Sequence, residues 1–143
     1  MRKSSLLIAI FISLTLWSAS AYAQSIPAGS VWQNQRGSLF QINTVSANGL
    51  LTGFYVNKAA GYQCQNYGYP MTGWVVGTSV SFSVNWNNGV VNCNSTTGWT
   101  GYVSGNTLVT KWNLSASGST TILSGADTFT RISAISHKGL VKK

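Results

Sequence analysis

Short runs of alternating apolar and polar residues occupy most of the chain from Ser30 to Ile132. They are rich in Val, Thr, Tyr, Trp and Phe, and Gly, Asn and Ser separate them. Such alternation is typical of half-buried β-strands, and stretches of helix-favouring residues are too short to compete. The pattern predicts an all-β chain with strands over residues 30–43, 49–56, 71–76, 79–85, 98–103, 107–114, 120–124 and 128–132.

The connectors between these strands carry turn chemistry, as in the Asn-Gly pairs at 48–49 and 88–89. Eight strands joined by short hairpins form either a sandwich or a barrel, and a barrel closes its own edges and can enclose one small ligand. Trp and Tyr recur on the strands, either as core filling or as the walls of a cavity. We expect an eight-stranded antiparallel up-and-down β-barrel with an aromatic-lined cavity.

The two ends of the chain differ from this central part. Residues 1–23 combine a basic start, an apolar run and an Ala-x-Ala site, which predicts a cleaved signal peptide; the run is short for a membrane anchor. The barrel domain then covers 24–133, and the mature protein is expected to be secreted or periplasmic and not membrane-bound. Residues 134–143 form a basic tail that is either disordered or covers a neighbour's exposed site with Ile135 and Leu140.

Charged and metal-binding residues are scarce. The chain contains nine Lys and Arg and a single acidic residue, Asp127. No stripe of basic residues interleaved with aromatics occurs on the strands, so nucleic-acid binding is disfavoured. Cys64 and Cys93 allow one disulfide in an exported chain, and with only His137 as a further soft ligand they do not suggest a metal site. One carboxylate and an isolated His also argue against an enzyme.

Asp127 lies among apolar and β-branched residues in the segment from Ser124 to Arg131. One interpretation is that it starts a turn after Gly125 or accepts a hydrogen bond from nearby backbone. The other is that a buried carboxylate waits in a cavity for N–H donors of a ligand.

Five segments, taken in order, resemble signatures of the avidin and streptavidin family. The first, 30–38, matches the pattern Gly-Thr-Trp-x-Asn-x-x-Gly-Ser except at its first two positions, and the others are 51–57, 94–102, 110–114 and 124–131. The resemblance implies biotin as the bound ligand, with no other cofactor. It also implies the ligand-binding residues Asn34, Ser38, Tyr55, Asn57, Trp86, Ser95, Thr97, Trp99, Trp112 and Asp127.

Each matched position has an implied role. Asn34, Ser38 and Tyr55 donate to the ureido carbonyl, Asp127 accepts from one ureido N–H, and Asn57 accepts from the other where many relatives have Ser or Thr. Thr97 faces the sulfur, Ser95 reaches the tail carboxylate, and the three tryptophans form walls.

Two departures from the tetrameric members are informative. No Trp occurs in 115–124, where those members lend one to a neighbour's pocket. The Cys64 and Cys93 pair resembles the loop disulfide of dimeric bacterial avidins, which implies a rigid lid and a homodimer rather than a tetramer. Trp32 is expected in the core, and Trp74 either in the core or at an interface. The predicted function is non-catalytic, high-affinity biotin binding, with an exported carbohydrate-binding module as the alternative.

Overall fold

A computed structural model describes residues 26–132 of the chain. In this part the structure contains eight antiparallel strands and no helix, so no helical segment within it is suited to crossing a bilayer. The strands are β1 (Val31–Asn34), β2 (Leu39–Val45), β3 (Leu50–Val56), β4 (Gly68–Val76), β5 (Ser79–Asn87), β6 (Asn92–Ser104), β7 (Thr107–Ala116) and β8 (Ile122–Ile132).

Each strand pairs with the next one along the chain, and β8 returns to pair with β1. The closing register joins Val31 to Ile132 and Asn34 to Phe129. Among the strands of residues 26–132, closure leaves no unpaired sheet edge. The predicted eight-stranded up-and-down barrel is confirmed.

The division into strands was wrong at two places. Residues 30–43 are not one strand, because the chain turns between β1 and β2, where Gly37 adopts a φ of 83°. Residues 120–124 and 128–132 are not two strands, because β8 runs unbroken through Asp127. The strand count was right because one missed turn and one invented break offset each other.

The inward side chains toward one end of the barrel form an aromatic core. Phe40 packs against Phe82 and Phe129 with ring centroids 5.2 and 5.0 Å apart, and Trp32 stacks on Phe40 at 6.0 Å. Trp32 is fully buried and donates its indole N–H to Ser30 Oγ at 3.0 Å. Its predicted place in the core is confirmed.

The opposite end carries the loops that follow β1, β3, β5 and β7, since connections alternate between ends in an up-and-down barrel. Of these the β3–β4 connection, residues 57–67, is the longest. Here the interior is not filled, and a cavity opens toward the loops.

Candidate functional site

A cavity of about 210 Å³ lies at this loop-bearing end. All ten predicted ligand-binding residues lie in its wall: Asn34, Ser38, Tyr55, Asn57, Trp86, Ser95, Thr97, Trp99, Trp112 and Asp127. They come from six strands and two connections, so only the closed barrel brings them together.

The β1–β2 turn fixes the orientation of the Asn34 amide. Its Oδ1 accepts hydrogen bonds from the backbone N–H groups of Arg36 at 3.0 Å and Ser38 at 2.9 Å. The oxygen of this buried side chain is therefore engaged by the turn, and Nδ2 is the group left for a ligand. Asn34 presents a donor to the cavity.

Tyr55 is held by aromatic neighbours on two sides. Its ring stacks on Trp99 with centroids 4.9 Å apart and meets Trp86 edge-on at 5.7 Å. Burial raises the pKa of its phenol well above the usual value, and the Asp127 carboxylate raises it further; a hydrogen bond with Ser38 and the Arg36 charge act in the opposite direction. Tyr55 therefore stays protonated and is a permanent donor.

Asp127 is only 4% exposed and points into the cavity from the middle of β8. Its Oδ2 accepts from the indole N–H of Trp99 at 3.0 Å, and its Oδ1 accepts from Gln35 Nε2 at 3.2 Å. The same Gln35 side chain accepts from the Thr128 backbone N–H at 2.9 Å. The turn interpretation of Asp127 is wrong, and two lone pairs of a fixed carboxylate remain for a ligand.

Two of the wall tryptophans have their rings fixed by neighbours. Trp86 donates its indole N–H to Thr97 Oγ1 at 2.8 Å, which leaves the Thr97 hydroxyl proton free to point elsewhere. The Trp112 ring lies against the backbone of Gly125, where a Cβ would come within 2.3 Å of Trp112 Cζ2. Any side chain at Gly125 would push the ring into the cavity.

Residues 57–66, called the lid here, fold around Asn57. Asn57 Oδ1 accepts from the Ala59 backbone N–H at 3.0 Å and from the Ser38 hydroxyl at 3.3 Å, and its Nδ2 donates to the Gln63 carbonyl at 3.3 Å. The Asn66 backbone N–H donates to the Asn57 carbonyl at 3.0 Å. Asn57 thus shapes the lid as well as the cavity wall.

The Cys64–Cys93 disulfide is present and ties the lid to the start of β6, with the two Cα atoms 6.2 Å apart. Cys64 has a φ of 56°, a left-handed conformation that side-chain-bearing residues rarely adopt and that costs on the order of 1 kcal/mol or more. Both cysteines line the cavity. The covalent tie therefore holds a strained loop beside the ligand space.

Sequence reasoning missed several residues of the site. Arg36, Tyr62 and Gln63 line the cavity, and Gln35 supports Asp127 from behind. Tyr62 sits on the lid and is 45% exposed. Their common signal was proximity in sequence to matched positions, since loop side chains follow no apolar alternation.

Two other expectations have different outcomes. Trp74 is 47% exposed, so the core alternative for it is wrong, and its place at an interface stays a prediction. Within residues 26–132 no group of three His, Cys, Asp or Glu side chains is arranged to hold a metal ion. His137, the signal peptide and the tail lie outside the described residues.

Known proteins are similar to this chain over the part that forms the barrel. Residues 22–132 match the sequence profile of the Avidin family. Afifavidin from Afifella pfennigii is 43% identical over 120 residues, covering 79% of this chain and 75% of that protein. A crystal structure of apo shwanavidin superposes with a TM-score of 0.72 at 47% identity over 76% of this chain and 98% of that one. A crystal structure of a rhizavidin–biotin complex superposes with a TM-score of 0.69 at 50% identity, over 75% of this chain and 93% of that one. The barrel, its cavity and these similarities show that the chain belongs to the avidin family.

Proposed function

We propose that this chain is a non-enzymatic, high-affinity biotin-binding protein that sequesters biotin at the open end of its barrel. The observation that carries the proposal is that one cavity holds a buried carboxylate, Asp127, together with the donors Asn34, Ser38 and Tyr55. Rhizavidin and short afifavidin have each been crystallised with biotin. The carbohydrate-binding alternative gains no support from these relatives.

The ureido ring of biotin offers one carbonyl oxygen and two N–H groups. Asn34 Nδ2 and the Tyr55 phenol are already committed as donors by their surroundings, and both suit the carbonyl oxygen. Asp127 accepts from one ureido N–H. The charge-assisted bond to Asp127 at one end of the urea group and the neutral donors at its carbonyl reinforce each other, because both polarise the conjugated urea in the same sense.

Ser38 and Asn57 are hydrogen-bonded to each other, and both exchange that bond for hydrogen bonds to the ligand. Without ligand the Ser38 hydroxyl donates to Asn57 Oδ1. When biotin enters, that hydroxyl turns to the ureido carbonyl, and the released lone pair on Asn57 Oδ1 accepts the second ureido N–H. The exchange keeps both buried groups satisfied throughout.

The rest of biotin meets less polar surroundings. Thr97 already accepts from Trp86, so its own hydroxyl proton is available to the weakly accepting sulfur. Ser95, which lines the cavity two residues after Cys93, reaches the tail carboxylate. Trp86, Trp99 and Trp112 cover the apolar faces of the bicyclic ring and supply non-directional affinity.

The lid takes the place of the Trp that is missing from 115–124. Tyr62 supplies an aromatic surface to the cavity, and the Cys64–Cys93 bond fixes the loop that carries it. Because residues 115–124 contain no tryptophan to lend to a neighbour's pocket, the chain is proposed to act as a homodimer. Residues 1–23 support export to the periplasm or the exterior, where biotin would be sequestered.

Tryptophan fluorescence tests the function. Titration of biotin into a protein comprising residues 24–143 should change the emission of the three wall tryptophans and saturate at one ligand per chain. Trp74, exposed on the outer surface, should stay equally accessible to a water-soluble quencher before and after ligand addition. An emission spectrum that biotin leaves unaltered at any concentration would contradict the proposal.

A further inference from the structure

Two cationic residues lie side by side at the mouth of the cavity. Arg36 is in the β1–β2 turn, is exposed and lines the cavity, and its backbone N–H donates to Asn34 Oδ1 at 3.0 Å. Lys58 follows Asn57 at the start of the lid and is also exposed. Its backbone N–H donates to Ser38 Oγ at 2.9 Å. The backbones of both cationic residues are therefore fixed beside the donors proposed for the ureido carbonyl.

The turn and the lid are in contact where these two residues lie. A Cβ built on Gly37 would come within 3.9 Å of Lys58 Cβ, so the start of the lid packs against the residue next to Arg36. We call Arg36 and Lys58 the cationic rim. Because the other end of the barrel is filled with aromatic side chains, a ligand enters past this rim.

No acidic side chain at the surface neutralises the cationic rim. Asp127 is the only acidic side chain of the chain, is buried, and accepts hydrogen bonds from Trp99 and Gln35. Burial and the Asp127 carboxylate raise the pKa of the Tyr55 phenol and the Arg36 charge opposes them, so the field of Arg36 extends into the cavity. The two positive charges of the rim outnumber the one buried negative charge, and the opening is positive.

The other Lys and Arg side chains of residues 26–132 lie away from the opening. Lys111 is exposed in the middle of β7, and Arg131 is near the end of β8, where it pairs with the core residue Trp32. At about 0.1 M salt, exposed charges more than about 10 Å apart are largely screened from each other. A charged ligand at the opening therefore responds mainly to the rim.

The charge of the ligand decides what this field selects. A carboxylic acid is ionised at neutral pH, so free biotin is an anion. A biotin amide, including biotin joined to a lysine side chain, has no charge on the carbonyl that the amide replaces. Positive charge at the entrance of a cleft raises the association rate of an anion.

We propose that the cationic rim selects the free, ionised acid over its neutral amides by capturing the acid faster. This inference rests on the proposed function and adds the form of the ligand that the protein takes up. It assigns Arg36 and Lys58 a role in the rate of association, whereas Asn34, Ser38 and Tyr55 hold the ligand once it is bound.

Association rates of biotin and of biotinamide, its uncharged primary amide, test the rim. Stopped-flow tryptophan fluorescence at about 0.1 M salt should show that biotin associates with a protein comprising residues 24–143 about 2- to 4-fold faster than the amide does. Arg36→Gln combined with Lys58→Gln should bring the ratio of the two rates close to one, and both positions keep their backbone N–H groups. Lys111→Gln combined with Arg131→Gln is the matched control: it removes the same net charge and should keep the wild-type ratio.

Salt tests the same inference without any substitution. At about 1 M salt, where the screening length is about 3 Å, the wild-type ratio should also approach one. Equal rates at about 0.1 M salt, a ratio that does not change with salt, or a rim variant that keeps the wild-type ratio would overturn the inference and leave biotin binding in place. Failure of both ligands to change the fluorescence would overturn the proposed function, and the selection of the acid with it.

Discussion

Most polar side chains around the cavity have a protein partner that fixes them before any ligand arrives. Asn34 is oriented by two backbone N–H groups, Asp127 by Trp99 and Gln35, and Thr97 by Trp86. Fixed groups lose little conformational entropy on binding, so more of each interaction appears as affinity. At the scale of single residues, this prior ordering favours tight binding.

Asp127→Asn should speed biotin dissociation by about 10- to 100-fold. The amide has one acceptor oxygen in place of two, so its NH₂ group would confront a donor: Trp99, Gln35 or the ureido N–H. Stopped-flow displacement of labelled biotin measures the rate. Thr130→Ala, an outward change on the same strand, is the control. A dissociation rate equal to that of the wild type would show that the carboxylate does not contact the ligand.

The raised pKa of Tyr55 gives a defined pH dependence. The folded protein holds the phenol proton of Tyr55 more tightly than the unfolded chain does. The contribution of the buried, protonated phenol to the free energy of unfolding is therefore complete below about pH 10 and is lost as the pH rises above it. Urea unfolding from about pH 8 to pH 11 should show the decline, and Tyr55→Phe should reduce it. Biotin affinity should stay level up to about pH 10. A fall in biotin affinity below that pH, as expected if the Tyr55 phenol lost its proton there, would contradict its role as a buried donor.

Individual residues were predictable where chemistry and order along the chain coincided. All ten matched positions reached one cavity, because short motifs on successive strands keep their inward alternation. Gln35 and Tyr62 were not predicted, since both are loop residues whose direction depends on the local hydrogen bonds of the turn and the lid. The two hydrogen bonds that Asn57 Oδ1 accepts, from Ser38 and Ala59, could likewise not be predicted from the sequence.

At the scale of elements, the lid is the part of the site that is least supported by the barrel. It has no strand partners beyond an isolated bridge between Asn57 and Gln65, and its shape depends on side-chain hydrogen bonds and one disulfide. Segments with few ladder hydrogen bonds are the first to open. The disulfide is therefore expected to control how long the ligand stays.

Replacing both cysteines, Cys64→Ser with Cys93→Ser, should lower stability by about 3 to 4 kcal/mol for the closed loop of 29 residues. It should also speed biotin dissociation, because the lid can then leave the cavity. Differential scanning calorimetry and displacement kinetics measure the two effects. Treating the wild type with reductant is a second route to the same state. Unchanged kinetics with lowered stability would confine the disulfide to a folding role.

Elements were predicted well in kind and poorly in extent. The turn at Arg36 and Gly37 was missed because apolar alternation resumes in phase on both sides of it. The break assigned near Gly125 was wrong because that glycine makes room for the Trp112 ring rather than a turn. Strands β4 and β6 also began earlier than predicted. The added part of β6, from Asn92 to Thr97, is almost entirely polar and pairs in a ladder without an apolar pattern, whereas β4 begins at Gly68 and its buried Tyr69 pairs with Tyr55.

At the scale of the whole molecule, closure of the barrel separates two tasks. One end is filled by Trp32, Phe40, Phe82 and Phe129 and stabilises the fold, while the other end is left open and holds the polar groups. A rigid cylinder lets loops vary without loss of the fold.

The central claim is that the cavity is built for a cyclic urea with an anionic tail. Isothermal titration calorimetry of residues 24–143 with biotin, alongside a panel of mono- and disaccharides, tests it directly. The account predicts saturable heat for biotin at one site per chain and no heat for any sugar. Absence of heat with biotin, or a sugar that competes with it, would contradict the account.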